Sequence, residues 1–142
     1  MQVLPGWNSD PDLLPAVRSL FEFGGEDRAT GYLADVLDWG LCDRLEADLG
    51  VRFTIVAFQA YRNGSGCGWH ADTPFDAQAI LSLGVTRTFG VRPNGGEPQW
   101  LPVAHGDLVY MPPGFQDSWE HCVPVEDEPG ERVSLVFRTV RS

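Results

Sequence analysis

The apolar positions of the chain change period near residue 50. Before it, Leu13, Leu14, Val17, Leu20 and Phe21 recur at helical spacing behind an Asp10-Pro11 start, until Gly24-Gly25 stops the run. Glu26 to Tyr32 is polar and reads as a loop. A second helix is predicted from about Ala34 to Leu49, with Leu33, Val36, Leu37, Leu41, Leu45 and Leu49 on one face and Gly50 as its stop. Beyond Gly50 the period is two. Phe53 to Tyr61 reads as a strand that puts Gln59 and Tyr61 on one face, and Asn63-Gly64-Ser65-Gly66 turns it. Ala79 to Leu83 is a short apolar run, Thr86 to Arg92 alternates, and Asn94-Gly95-Gly96 is a hairpin signal before Gln99 to Val103. Gly106-Asp107 introduces Leu108 to Met111, and Pro112-Pro113-Gly114 ends it. The last strands fall around His121 to Val125 and from Arg132 to Val140, joined by the acidic turn Glu126 to Gly130.

Short strands between turn signals, with no repeat and no low-complexity linker, predict an all-β sandwich or barrel carrying N-terminal helices. At 142 residues the expectation is one domain, with a helical part over 1–50 and a β core over 51–142.

Composition narrows the class. A hydrophobic fraction of 43% and five tryptophans fit a globular protein, and no apolar run reaches membrane-spanning length. Met1 to Trp7 has neither a basic start nor a long apolar segment, so a soluble, cytoplasmic protein is expected, and separately a monomer. Cys42, Cys67 and Cys122 are odd in number and form no CxxC, which argues for reduced thiols over a disulfide scaffold or a Cys-rich zinc site. The net charge is −10 and every basic side chain is Arg. Such acidity weakens attraction to phosphate backbones and disfavours duplex DNA as a partner.

Two stretches carry candidate chemistry. In Cys67-Gly68-Trp69-His70-Ala71-Asp72-Thr73, an imidazole and a carboxylate lie two residues apart, on the same side of an extended chain, where they can hold one face of a metal ion. The third ligand would come from His105 or His121; His121, at the edge of a β-like run, is the better placed. Two His and one carboxylate with an open opposite face suit non-haem Fe(II) oxygenases. The second stretch is the last strand, whose alternation puts Arg132, Ser134, Val136 and Arg138 on one face and Val133, Leu135 and Phe137 on the other. If the arginine face is interior, two buried guanidinium groups need anionic partners, and a dicarboxylate held by the Arg fork would supply them.

Taken in order, Gln59-Ala60-Tyr61-Arg62-Asn63-Gly64, Gly68-Trp69-His70-Ala71-Asp72, Ile80-Leu81-Ser82-Leu83-Gly84, His105-Gly106-Asp107, Trp119-Glu120-His121 and Arg132 to Arg138 resemble the segments of AlkB-like Fe(II)/2-oxoglutarate dioxygenases. The resemblance covers roughly residues 53 to 140. It implies a double-stranded β-helix, or jelly roll, with Fe(II) held by His70, Asp72 and His121. It further implies that Arg138 and Arg132 each pair with one carboxylate of 2-oxoglutarate, that Tyr61 and Ser134 hydrogen-bond this co-substrate, and that O2 is consumed. His105 falls at a turn before a strand and reads as structural, and Gln59 stands where the family often has Asn.

The departures concern substrate. Many nucleic-acid demethylases of this family carry an acidic residue two positions past the metal Asp, where this chain has Pro74. About 50 residues precede the first barrel strand, so a nucleotide lid is expected to be short or missing. A residual lid would come from Arg28 to Leu33, with Tyr32 or Trp69 as a stacking surface. A modified nucleobase in single-stranded nucleic acid, a free nucleotide, a protein side chain and a small metabolite all stay open as substrates. A different class of reading is a jelly-roll binding module or zinc hydrolase built on the same ligands, which has no use for Arg132 and Arg138 on the ligand-facing side.

Overall fold

A computed structural model describes residues 1–73 and 75–140. Among the described residues ten strands form two antiparallel sheets: β1 (Gln2–Leu4), β2 (Arg28–Tyr32), β3 (Ile55–Tyr61), β4 (Cys67–His70), β5 (Phe75–Gly84), β6 (Arg87–Pro93), β7 (Gln99–Val103), β8 (Leu108–Met111), β9 (Trp119–Val123) and β10 (Arg132–Val140). The larger sheet runs β1-β8-β5-β10-β3-β2, and the smaller runs β4-β9-β6-β7. The architecture is a jelly roll with helices packed on it.

The period-two pattern of β10 decides where things go. Val133, Leu135 and Phe137 join an apolar cluster with Val56, Phe58, Leu81 and Leu83 of the neighbouring strands and with Val17, Val36, Leu41 and Leu45 from the N-terminal third. That cluster covers the outer face of the larger sheet. Val136 belongs to a second cluster with Ala57, Tyr61 and Ile80 of the larger sheet and Phe89, Val91, Val103 and Val123 of the smaller one, so it fills the space between sheets. Arg132, Ser134 and Arg138 share the face of Val136 and are therefore interior, at 1%, 4% and 7% exposure. The helices cover one face of the sheet and the functional side chains occupy the other.

The N-terminal third is less helical than its pattern predicts. The first helix, α1, spans only Leu13–Arg18 and has Asp12 at its N-cap; Asp10 instead accepts a hydrogen bond from the Asp12 N–H at 2.9 Å. The second segment is broken into a 3₁₀ turn, Ala34–Asp38, and α2, Leu41–Leu49, because Gly40 takes φ +82° between them. The polar stretch expected to be a loop is β2, which pairs with β3 from Arg28 opposite Tyr61 to Tyr32 opposite Ala57. Gly31 is required there, since a Cβ would stand 2.9 Å from the Phe58 ring. β1 likewise adds to the opposite edge, against β8. Both are edge strands stabilised by a partner remote in sequence, which local periodicity does not register.

β5 is longer than its apolar run, because β10 pairs along it from Arg132 opposite Gly84 to Arg138 opposite Gln78, and on to Phe75. Pro74, singled out above for standing where an acidic residue is common, lies outside the described residues. Among the described residues no helix is long and apolar enough to cross a membrane.

Candidate metal centre and the adjoining cleft

β4 and β9 pair antiparallel with His70 directly opposite His121, so two imidazoles meet across one ladder with ring centroids 4.3 Å apart. Asp72 completes the group: its Oδ2 lies 3.2 Å from His121 Nε2 and its Oδ1 lies 3.6 Å from His70 Nε2. One ligand atom from each of the three residues lies within 4.8 Å of the others. The reason for the His-x-Asp spacing differs from the one expected. β4 ends at His70, so the strand pleat does not place Asp72. Instead, α3 (Phe115–Ser118) presents Gln116, whose Oε1 accepts the Asp72 backbone N–H at 2.7 Å, while Gln78 of β5 donates Nε2–H to Asp72 Oδ2 at 2.8 Å.

The protonation states suit a cation. His70 Nδ1 lies 2.7 Å from the Gly68 carbonyl, which makes it the protonated nitrogen and leaves the Nε2 lone pair facing Asp72 and His121. His121 is buried against the Phe89 ring. Burial pulls its imidazolium below the usual range, more than the neighbouring Asp72 restores, so the ring is neutral near pH 7. For Asp72 burial alone would raise the carboxyl, but the hydrogen bonds with His121 and the Gln78 amide and the charge of Arg138 hold it well below the usual carboxylate range. Two imidazoles and one carboxylate, converging from one side, form a donor set that fits Fe(II). A zinc hydrolase could use the same three groups, so the rest of the cleft must discriminate.

That cleft runs between the sheets from the metal triad to β10, and its walls include Tyr61, Gln78, Arg132, Ser134 and Arg138. Arg138 donates Nε–H to Gln78 Oε1 at 2.8 Å, and its Nη2 stands 3.6 Å from Asp72 Oδ1. Arg132 is different. Its Nη2 donates to Ser82 Oγ at 2.8 Å and its Nη1 to the Val103 carbonyl at 3.4 Å, while Nε has no partner among the described residues. Among the described residues no carboxylate lies within salt-bridge distance of it. Burial depresses its guanidinium to about 10. A nearly inaccessible cation with no carboxylate in contact, only the more distant Glu126 and Asp107, is costly to keep, and an anionic ligand would relieve that cost. Burial also raises the Tyr61 phenol, keeping it a protonated donor.

The structure thus brings together His70, Asp72, His121, Tyr61, Arg132, Ser134 and Arg138 around one cleft. Trp69 is not among its walls: strand alternation turns it away from His70, and its ring packs 5.5 Å from Trp100 with the Arg92 guanidinium 4.3 Å away. Tyr32 is 69% exposed and borders a neighbouring pocket that includes Thr30, Gln59 and Arg138. His105 sits apart from the triad, with Nδ1 accepting the Gly84 N–H at 3.0 Å. Cys67 Sγ lies 3.6 Å from His70 Nδ1, and all three cysteines are free. Sequence reasoning missed Gln78 and Gln116. A long polar side chain inside the apolar run Ala77-Gln78-Ala79-Ile80-Leu81 was the available signal for the first.

Comparison with known proteins agrees with this geometry. Residues 32–138 match the model of the 2OG-Fe(II) oxygenase superfamily. The chain is 35% identical over 119 residues to alpha-ketoglutarate-dependent dioxygenase alkB homolog 3 of Rattus norvegicus and 36% identical over 117 residues to that of Homo sapiens. These matches take in 72% and 70% of this chain, which spans only 40% and 41% of the length of the two relatives. The solved structure of OsALKBH1 superposes with a TM-score of 0.72 over 97% of each chain at 14% identity, a likeness of fold. With a matching family model over most of its length and the triad assembled inside a jelly roll, the chain belongs to the 2OG-Fe(II) oxygenase superfamily, as one of its AlkB-like members.

Proposed function

We propose that the protein is an Fe(II)/2-oxoglutarate-dependent dioxygenase, with His70, Asp72 and His121 holding iron and the β10 face holding the co-substrate. The observation that carries this reading is the placement of Arg132, a buried cation with no carboxylate within salt-bridge distance among the described residues, in the same cleft as the triad. A hydrolase or binding module has no use for it. Bound iron would supply activation of O2 coupled to oxidative decarboxylation of 2-oxoglutarate, giving succinate and CO2 while the second oxygen atom enters a substrate C–H bond.

The chain's own residues bind and orient. Arg138, beside Asp72, is placed to take the carboxylate nearer the metal, and Arg132, at the other end of the β10 face, the remote one. The charge and fork geometry of arginine favour both contacts. The Tyr61 phenol and Ser134 hydroxyl are hydrogen-bonding groups on the same wall. Burial of Arg132, Ser134, Tyr61 and His121 keeps water from the inner end of the cleft.

For substrate we read a modified nucleobase or nucleotide, single-stranded or free, with hydroxylation of an N-attached methyl group releasing formaldehyde. Support comes from the AlkB-like relatives. The exposed Tyr32 beside Arg138 at a neighbouring pocket offers a flat surface for a base. A net charge of −10 weighs against duplex DNA. Three free thiols favour a reducing compartment such as the cytoplasm.

Succinate release should be measured with Fe(II), 2-oxoglutarate and O2 across methylated single-stranded and duplex oligonucleotides, methylated nucleosides, peptides and free amino acids. The expected result is stimulation by methylated single strands or nucleosides, with formaldehyde released in step. Stimulation confined to peptides or amino acids would replace the substrate with a protein side chain or metabolite. No succinate under any condition would overturn the dioxygenase reading.

A further inference from the structure

Gln78 is fully buried and touches both halves of the site, yet it is assigned neither to the metal nor to 2-oxoglutarate. It stands directly opposite Arg138 in the β5–β10 register. Its Oε1 accepts from Arg138 Nε at 2.8 Å, and its Nε2 donates to Asp72 Oδ2 at 2.8 Å. The two contacts fix the amide one way round. Reversed, it would set NH2 against the guanidinium N–H and C=O against a carboxylate, two repulsive pairings in a buried place.

We infer that Gln78 is a positioning residue that joins the metal ligand Asp72 to the 2-oxoglutarate guanidinium Arg138, holding the two apart and orienting both; this rests on the iron and 2-oxoglutarate reading of the site. The need for such a spacer follows from charge. Arg138 Nη2 and Asp72 Oδ1 are opposite in sign and only 3.6 Å apart. Without an intervening donor and acceptor they are drawn into a direct two-point ion pair, the preferred geometry of arginine with a carboxylate. That pairing would turn the carboxylate from the imidazoles and the guanidinium from the co-substrate, disabling both halves at once. One amide prevents it by occupying Asp72 Oδ2 and Arg138 Nε. Gln116 completes the restraint on Asp72 from its backbone side. Asparagine is too short to span both contacts, and glutamate would set one carboxylate against another.

The test uses Gln78→Met and Gln78→Leu, which remove the amide with different shapes. Each is compared with the wild-type chain in Co(II) titration followed by d–d absorption, in 2-oxoglutarate affinity of the Co(II)-loaded protein, and in melting of the metal-free protein. In both variants Co(II) affinity is expected to fall about 10- to 100-fold, the usual cost of losing a group that orients a metal ligand. The Co(II) spectrum changes with it, and 2-oxoglutarate binds more weakly although Arg138 is intact. A packing role alone would lower the melting temperature and leave Co(II) spectrum and affinity as in wild type, which would overturn the inference. It is equally overturned if neither variant melts cooperatively, because the amide then serves folding. Failure of the wild-type protein to bind one Co(II) would instead sink the reading of the site itself.

Discussion

His70→Ala is expected to abolish succinate formation while leaving the protein folded. The two consequences separate because the His70 side chain is about one-third exposed, at 34%, and lies beyond the apolar clusters that hold the sheets together. Its loss removes one of three metal donors and vacates little packed volume. Metal affinity should fall by more than the roughly 10- to 100-fold that attends loss of a supporting hydrogen bond, since a ligand itself is gone. Asp72→Ala should lose activity as completely but melt at a lower temperature. That carboxylate faces His121, Gln78 and the buried Arg138, and removing one partner of a buried ion pair costs about 3–5 kcal/mol. Metal titration and thermal melting of the two metal-free variants, side by side, check both statements. Full activity in His70→Ala would refute the assignment of the triad.

Arg132→Met is expected to show the opposite balance: 2-oxoglutarate binding collapses while the metal-free fold keeps or gains stability. The guanidinium is 1% exposed, has no carboxylate within reach among the described residues, and leaves Nε unpaired. Substitution forfeits the charge-assisted hydrogen bond to Ser82, about 1.5–3 kcal/mol, and the longer one to the Val103 carbonyl. Against that, it removes a charge that burial penalises, and replacement of buried ionic groups by apolar ones of similar volume is often neutral or stabilising. For the co-substrate the loss is large. Removing one member of a buried charge pair costs about 2–5 kcal/mol, so KM for 2-oxoglutarate should rise roughly 30-fold to several thousand-fold. Arg132→Lys keeps the charge without the fork and should fall between. Melting curves of the metal-free proteins and 2-oxoglutarate saturation curves read the two effects. An Arg132→Met protein with wild-type KM would show that this arginine is structural.

What could be read from the chain alone follows from how local each signal is. The β10 pattern was legible because alternation needs only neighbours: Arg132, Ser134 and Arg138 fall on one face whatever the sheet pairs with, and their burial followed once that face proved interior. The triad was legible for a chemical reason, since the chain has only three histidines and His-x-Asp limits the partners. The edge strands β1 and β2 were not legible, because Gln2 to Leu4 and Arg28 to Tyr32 owe their form to pairing with residues about 30 to 100 positions away. Gln116 reaches Asp72 across 44 residues of chain, so its role exists only once the sheets close. Trp69 shows the reverse case. Its place next to His70 in sequence makes it one of two candidate stacking surfaces, but the same alternation that turns His70 inward turns Trp69 out, where it packs on Trp100.

The most direct test of a ferrous centre beside a guanidinium-lined slot is an oxygen-free crystal structure of the protein with Mn(II), as a redox-inert stand-in, and 2-oxoglutarate. The predicted result is one metal ion bonded to His70, Asp72 and His121, with one carboxylate of 2-oxoglutarate against Arg138 and the other against Arg132. A metal bound elsewhere, or a dicarboxylate that leaves Arg132 without a counter-charge, would contradict it.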